Sequence, residues 1–139
     1  MKIFLDANIL VSVLNKEYPV FINSSRIISL ADNARFRLYT SPICLAIAFY
    51  FSEKKSGTAL AKKKIKILSQ KINITSTDRK TVLNSLENEA VNDFEDGLEY
   101  YSAMQSACNC ILTEDVTDFY FSKLEVLNCK MFIEKYLKA

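Results

Sequence analysis

Histidine and tryptophan are absent from this chain, and glycine and proline occur only twice each. Without histidine, a Ser-His-Asp triad, a Cys-His pair and a paired-histidine metal site are all excluded. The scarcity of glycine and proline, with no repeat or low-complexity segment, leaves no sign of a linker. We therefore predict a single domain spanning residues 1–139. Any catalysis must depend on carboxylates, lysines or a metal ion.

The chain also has no apolar run of the roughly 18 residues needed to span a bilayer. Its N-terminal apolar stretch is interrupted by Asp6 and Asn8, unlike a signal peptide, so we predict a cytoplasmic protein without a membrane segment. The formal net charge of +2 is too small to indicate nucleic-acid binding by overall charge. The four cysteines, with no histidine to complete a zinc set, are expected to be free buried thiols.

Apolar runs and helical spacing alternate along the chain. The runs predict strands at Lys2–Leu5, Phe36–Thr40, Ile72–Thr75, Cys110–Thr113 and Glu125–Leu127. This alternation is typical of the α/β class and predicts a mostly parallel sheet of about five strands in a three-layer α/β/α sandwich. A helix is predicted from Ser41-Pro42 to about Glu53. Because Ile43–Phe51 is almost wholly apolar, we expect this helix to be buried in the core or in an interface.

Acidic residues stand at three predicted element ends: Asp6 after the first strand, Asp93–Asp96 at a helix start, and Glu114-Asp115 after the fourth strand. The carboxyl ends of parallel strands open onto a shared crevice, and a helix N-terminus attracts negative charge. Clustered carboxylates repel one another, so a meeting of Asp6, Asp96 and Asp115 would indicate Mg²⁺ or Mn²⁺. Such a site suits metal-assisted attack of water on a phosphodiester.

Each acid also has a structural interpretation that the sequence leaves open. Asp6 is equally typical of a helix N-cap. Asp93 and Asp96 have the spacing of a capping box, and Asp115 and Asp118 are ordinary turn residues. The metal-site hypothesis therefore depends on all three acidic segments meeting in one place.

Three segments resemble the motifs of PIN-domain proteins, a metal-dependent ribonuclease fold that includes toxins of bacterial toxin–antitoxin pairs. They are Ile3–Leu10, with its strand-terminal aspartate; Asp93–Ala103, with a D-x-x-D-G helix start; and Ile111–Phe119, with T-x-D-x-x-D-F. The resemblance implies that Asp6, Asp96 and Asp115 are catalytic metal ligands for Mg²⁺ or Mn²⁺. It implies supporting roles for Asn8, Asp93, Thr113 and Asp118. It also implies an endoribonuclease acting on RNA, with a small antitoxin partner and a homodimer.

The chain departs from that family at one position. The family usually places a glutamate early in the helix after the second strand, where this chain has Ile47. Glu53 should lie on another helical face, and Glu95 is a conjectural substitute. The alternative is therefore a catalytically degenerate PIN-fold protein that binds RNA or protein. A third interpretation, an Asp6 nucleophile as in haloacid-dehalogenase-like phosphatases, fits less well because Asn8 stands where those enzymes have a second aspartate.

A dense positive region comprises Lys54, Lys55, Lys62 and Lys63, continuing to Lys64 and Lys66. One interpretation is a solvated helix face. The functional alternative is that Lys54, Lys55, Lys62 and Lys63 bind RNA phosphates near the acidic crevice. Tyr100 and Tyr101 are candidates for base stacking or for core packing.

Overall fold

A five-stranded parallel sheet forms the centre of the protein, and its strand order is β3-β2-β1-β4-β5. The computed structural model describes residues 1–138. The strands are β1 (Lys2–Leu5), β2 (Arg37–Thr40), β3 (Asn73–Ile74), β4 (Cys110–Leu112) and β5 (Glu125–Leu127). Every neighbouring pair is parallel. The predicted α/β class and its five-stranded sheet are thereby confirmed.

Helices connect the strands and cover the sheet. They are α1 (Ala7–Leu14), α2 (Val20–Ser29), α3 (Pro42–Ser56), α4 (Thr58–Lys71), α5 (Arg79–Glu87), α6 (Phe94–Gln105) and α7 (Cys129–Phe132). In β1, successive residues Ile3, Phe4 and Leu5 are all 0% exposed. Since neighbouring strand residues point to opposite faces, both faces of the central strand must be covered. The continuous apolar run in β1 is what allows burial on both sides.

The strand order has a topological switch point between β1 and β4, where the direction of the connections reverses. The chain proceeds from β1 outward through β2 to β3, then crosses to the other side of β1 to form β4 and β5. At such a point the connections leaving the two central strands diverge and leave a crevice at their carboxyl ends. Asp6 follows β1 directly, and Thr113 follows β4 directly. The topology therefore brings these two segments to the same crevice.

Helix α3 is not the buried helix that its composition predicts. Its buried residues, Cys44, Ala48 and Ser52, are spaced four apart and form one stripe. On the rest of the helix, Tyr50 is 52% exposed and Phe51 is 45% exposed. The core alternative for Ile43–Phe51 is therefore wrong, because a helix that packs along one stripe leaves its other faces open, whatever their composition. The interface alternative stays a prediction.

Two short helical turns accompany these helices. A 3-10 turn spans Val116–Phe119 and so includes Asp118. A π-helical turn, Ile133–Leu137, follows α7 directly.

The four cysteines are buried and free, as predicted. Burial raises the pKa of the Cys108, Cys110 and Cys129 thiols to about 12. These thiols are therefore protonated at neutral pH and behave as small apolar side chains. Across residues 1–138, no helix combines the length and the apolar character that crossing a membrane requires.

Candidate metal centre

A cavity of about 410 Å³ lies at the carboxyl ends of the central strands, and acidic side chains dominate its lining. The predicted metal ligands Asp6, Asp96 and Asp115 all contribute to it. Of the predicted supporting residues, Asn8, Asp93 and Asp118 line it as well. The three acidic segments that are far apart in sequence therefore line one cavity, and the binding of a metal ion by Asp6, Asp96 and Asp115 stays a prediction.

Asp6 is held at the cavity by the sheet and by its own helix. Its backbone N–H donates to the Leu112 carbonyl at 3.0 Å, which continues the β1–β4 pairing by one residue. One carboxylate oxygen, Oδ1, accepts the Ala7 N–H at 2.6 Å, and the other, Oδ2, accepts the Thr113 hydroxyl at 2.7 Å. Asp6 is thus the N-cap of α1 and a cavity acid at once, so the two interpretations are compatible.

Thr113 joins the two strand-end acids. Its buried hydroxyl donates to Asp6 and accepts from the Asp115 N–H and the Asn8 side-chain amide, both at 3.1 Å. The same Asn8 amide donates to Asp115 Oδ2 at 3.2 Å. Thr113 and Asn8 therefore fix the relative orientation of Asp6 and Asp115, although Thr113 itself lies beneath the cavity wall.

Replacing Thr113 with valine keeps the shape of the side chain and removes this hydroxyl. We expect a loss of about 1–3 kcal/mol in the free energy of unfolding, because buried polar partners of the hydroxyl are left unsatisfied. Urea denaturation monitored by circular dichroism measures the loss. Thr113→Ser retains the hydroxyl and is the matched control. Equal stability of the valine and serine variants would show that the hydroxyl contributes nothing.

Asp96 enters the cavity from the N-terminus of α6. Asp93 caps this helix, since its Oδ1 accepts the N–H groups of Glu95 at 2.9 Å and Asp96 at 3.2 Å. The structural interpretation is therefore correct for Asp93, and Asp96 is left free to face the cavity. The pKa of Asp96 is raised to about 7, mainly by burial and in addition by the negative charges of Asp93, Asp6, Asp118 and Glu95.

Glu99, which no sequence motif singles out, lies deepest among the cavity acids. It is 1% exposed, and its Oε1 accepts the Cys44 thiol at 3.1 Å. Its carboxyl group also contacts Asp6 by a hydrogen bond, and burial raises its pKa well above the ordinary value. One signal was available: Glu99 follows Asp96 by three positions, which places both on one face of a helix.

Position 47, where the resemblance leads one to expect an acid, faces the same cavity. The Ile47 side chain lines it together with Asp6, Asp96 and Glu99. Glu53 does not line it and instead accepts the Thr58 hydroxyl at 2.8 Å. Glu95 is exposed at the rim, and its pKa is raised by burial and by the charges of Asp93 and Asp6. Of the acids outside the three predicted ligands, Glu99 is the one next to Asp6.

The donor set fits a hard divalent cation. Carboxylate and amide oxygens predominate, and no lysine or arginine of residues 1–138 lines the cavity to neutralise them. Mg²⁺ and Mn²⁺ prefer such oxygen ligands. The Cys44 sulfur is a poor candidate, because burial, with help from the Asp6 charge, raises the pKa of its thiol to about 11. A cation would offset the negative charges that, together with burial, raise the pKa of Asp96.

The lysines predicted to bind RNA lie outside this cavity. Lys54, Lys55, Lys62 and Lys63 are exposed on α3 and α4. The Lys54 ammonium lies 4.9 Å from the centre of the Tyr50 ring, and Lys55 donates to the Asn15 carbonyl. Tyr50 lines an apolar groove with Ile47, Phe51 and Glu95, and those three also border the acidic cavity. Lys54 is therefore connected to the cavity through the surface of α3.

The tyrosines considered for base stacking belong to the interior. Tyr100 is 3% exposed, and its ring centre lies 5.0 Å from that of Tyr101 and 5.3 Å from that of Phe121. Its hydroxyl accepts the Lys123 N–H at 3.2 Å. Core packing is thus the correct interpretation for Tyr100.

Comparisons with known proteins agree with this architecture. A family model described as PIN domain matches residues 2–117. The chain is 26% identical over 139 residues to ribonuclease VapC1 of Aquifex aeolicus (strain VF5), with 97% of this chain and 95% of that protein covered.

Solved structures with the same fold include two complexes. VapBC2 from Rickettsia felis, bound to a DNA fragment from its promoter, has a TM-score of 0.68 at 21% identity and covers 92% of this chain and 98% of that chain. VapBC-1 from nontypeable Haemophilus influenzae has a TM-score of 0.68 at 19% identity, with coverages of 94% and 99%. VapC20 of Mycobacterium tuberculosis, a toxin that cleaves the sarcin-ricin loop, has a TM-score of 0.63 at 12% identity, with coverages of 78% and 86%.

Proposed function

Because the chain belongs to the PIN domain family, we propose that it is a metal-dependent endoribonuclease that cleaves RNA phosphodiesters. The main support for the proposal is that Asp6, Asp96 and Asp115 line one cavity. Its described lining contains no basic residue. A relative of nearly the same length is a ribonuclease by name. Carboxylates that meet without a positive partner favour a cation, and Mg²⁺ or Mn²⁺ suits phosphodiester hydrolysis.

The chain's own residues would hold and orient such a cation. Asp6, Asp96 and Asp115 would be its ligands, and Thr113 and Asn8 would keep Asp6 and Asp115 in place through the hydrogen bonds described above. When bound, Mg²⁺ would supply charge stabilisation for the phosphorane-like transition state and activate the attacking water. Asp118 and Asp93, which also line the cavity, would contribute negative charge to it.

An RNA cleavage assay with a metal chelator tests this function. The purified protein should cut a mixed-sequence fluorescent RNA in millimolar Mg²⁺ or Mn²⁺, lose the activity in EDTA, and regain it when metal is restored. Cleavage that persists in EDTA would contradict the proposal. The presence of Ile47 at the cavity wall favours the alternative of a catalytically degenerate protein. Isothermal titration calorimetry with Mn²⁺ distinguishes the two functions. Saturable binding supports the ribonuclease, because a degenerate site should bind no metal.

Metal affinity should depend on pH because a proton competes with the cation at Asp96. The pKa of this carboxyl group is raised to about 7, so the protonated form predominates below that value. We expect the Mn²⁺ affinity to fall by about tenfold for each pH unit below 7. Titration calorimetry at pH 5.5, 6.5 and 8 measures this dependence. The Asp96→Asn variant should bind weakly at every pH, and an unchanged affinity of the native protein from pH 8 to 5.5 would refute the expectation.

We propose that Lys54, Lys55, Lys62 and Lys63 bind the RNA backbone, with Lys54 nearest to the cavity along α3. Replacing a lysine that contacts a phosphate should reduce the slope of log affinity against log salt concentration by about one. Lys54→Ala should therefore weaken RNA binding and reduce the slope of log affinity against log KCl. Fluorescence anisotropy with RNA, in an Asp6→Asn background to prevent cleavage, measures both. Lys130→Ala, on α7, is the control, and an equal effect of the two substitutions would argue for a solvated helix face.

We further propose that the protein is the toxin of a toxin–antitoxin pair and is inhibited by a small antitoxin protein. Two of the solved structures that share its fold are VapBC complexes. The exposed apolar surface of α3 gives such a partner a place to bind. A homodimer stays a prediction, and size-exclusion chromatography with light scattering distinguishes it from the 15.9 kDa monomer.

A further inference from the structure

The environment of Glu99 differs from that of a buried carboxylate in a structural ion pair. It is almost completely buried, and in residues 1–138 its carboxyl group has no lysine or arginine partner among the ion pairs. Its neighbours are instead Asp6, another acid, and the weakly polar Cys44 thiol. A buried carboxyl group is normally paired with a cationic side chain, coordinated to a metal, or kept neutral by a raised pKa. Glu99 lacks the first kind of partner.

The geometry around Glu99 is that of a ligand cluster. One carboxylate oxygen from Asp6, one from Glu99 and the Cys44 sulfur all lie within 4.8 Å of one another. Asp6 and Glu99 also line the acidic cavity together with Asp96 and Asp115. A cation placed among the strand-end acids would therefore be close to Glu99 without a backbone rearrangement.

Helix α3 explains why this acid comes from α6. Cys44 belongs to the buried stripe of α3, and its thiol donates to Glu99, which holds the carboxyl group toward Asp6. Ile47 follows Cys44 by about one helical turn and lines the same cavity, but its side chain has no donor atom. In the cavity wall, α3 therefore contributes the Cys44 thiol, which orients Glu99, and no oxygen ligand at position 47. The carboxylate oxygen comes from Glu99 on α6.

We propose that Glu99 is a fourth carboxylate ligand of the divalent cation and takes the place of the acid that is absent at position 47. This inference rests on the proposed function. It assigns two ligands to one face of α6, Asp96 and Glu99, and two to the strand ends, Asp6 and Asp115. The Cys44 thiol is then a positioning group for Glu99 and not a ligand.

Mn²⁺ titration calorimetry on three variants tests the proposal. Glu99→Gln is expected to weaken Mn²⁺ binding by at least tenfold. The control Glu89→Gln, which changes an exposed acid outside the acidic cavity, should alter it by less than about threefold. The double variant Ile47→Glu/Glu99→Gln should regain at least tenfold, because it returns a carboxylate to the same cavity from α3. Mn²⁺ affinity of Glu99→Gln within twofold of the native protein would overturn the proposal.

Anomalous diffraction from native crystals grown with Mn²⁺ gives a second measurement that does not depend on the folding of a variant. A manganese peak about 2.2 Å from a Glu99 oxygen supports the assignment. A peak held by Asp6, Asp96 and Asp115, with Glu99 contacting only Cys44 and Asp6, overturns it and leaves the ribonuclease proposal standing. A native protein that binds no Mn²⁺ in calorimetry overturns both.

Discussion

Replacing Asp6 with asparagine is expected to lower the rate of RNA cleavage by more than about 100-fold. Residues that merely support metal ligands typically change affinity or activity by about 10–100-fold, and a ligand at the centre of the cavity should exceed that range. Asparagine retains an oxygen that can accept the Ala7 N–H, so the cap of α1 is preserved. The thermal unfolding midpoint should therefore change little. Initial rates of cleavage of a fluorescent RNA at saturating Mg²⁺ measure the effect.

The chain offers a matched control for this substitution. Asp32 lies in the 3-10 turn Leu30–Asp32 with a side chain that is 77% exposed, and its contact with Lys71 is long, at 3.9 Å. Asp32→Asn removes the same charge at a distance from the cavity, and the cleavage rate should stay within about twofold of native. If Asp6→Asn retains native activity with full metal present, Asp6 is a helix cap alone and the proposed site is wrong.

The site residues that the sequence predicts best are those that directly follow a strand. A parallel strand that stops at a carboxylate can present it only at one edge of the sheet. Asp6 after β1 and Asp115 after β4 were therefore expected to be neighbours before any coordinates were known. The Thr113 hydroxyl and the Asn8 amide confirm how closely they are joined, since both contact the two segments. The position of Asp96 is predicted from the N-cap at Asp93, because the N-terminus of a helix fixes the direction of the residues in its first turn.

The parts that the sequence does not predict depend on which face of a helix is packed. Composition marks Ile43–Phe51 of α3 as apolar throughout, but packing against one stripe decides that Cys44 is buried and that Tyr50 is exposed. Glu99 was overlooked for the related reason that a glutamate in mid-helix ordinarily faces solvent. Only the crossing of α3 and α6 makes it a buried neighbour of Asp6. The distance between the lysines and the cavity likewise depends on the direction of α3 and α4, which no local pattern specifies.

The same segment performs two tasks, and this accounts for the ambiguity of Asp6 in the sequence. A cap requires a short oxygen-bearing side chain before a helix, and a metal ligand requires an oxygen-bearing side chain at a cavity. Asp6 satisfies both because its two carboxylate oxygens have different partners, the Ala7 N–H and the Thr113 hydroxyl. The Asp6 carboxylate also forms a hydrogen bond with the Glu99 carboxyl group. Capping thus fixes the orientation in which Asp6 would bind a cation.

The strand that carries Asp6 should be the most sensitive part of the fold. Leu5 is 0% exposed, pairs with Leu112 in β4, and its carbonyl accepts the Thr40 hydroxyl at 2.8 Å. We expect Leu5→Ala to reduce the free energy of unfolding by about 2–5 kcal/mol, from the lost transfer free energy and the cavity left behind. Urea denaturation at 25 °C measures the change. Leu86→Ala makes the same substitution at a side chain that is 65% exposed and should change stability by less than about 0.5 kcal/mol.

Adding Mn²⁺ to these two variants then tests whether packing of β1 positions the site. A ligand at 100 times its Kd stabilises the folded state by about 2.7 kcal/mol. Leu86→Ala should gain as much as the native protein, because its cavity acids are undisturbed. Leu5→Ala should gain less, since the residue that precedes Asp6 is no longer held against β4 and the ligand oxygens lose their fixed spacing. Equal gains in both variants would show that the hydrogen bonds of Thr113 and Asn8 are sufficient to hold Asp6, and that the strand provides stability alone.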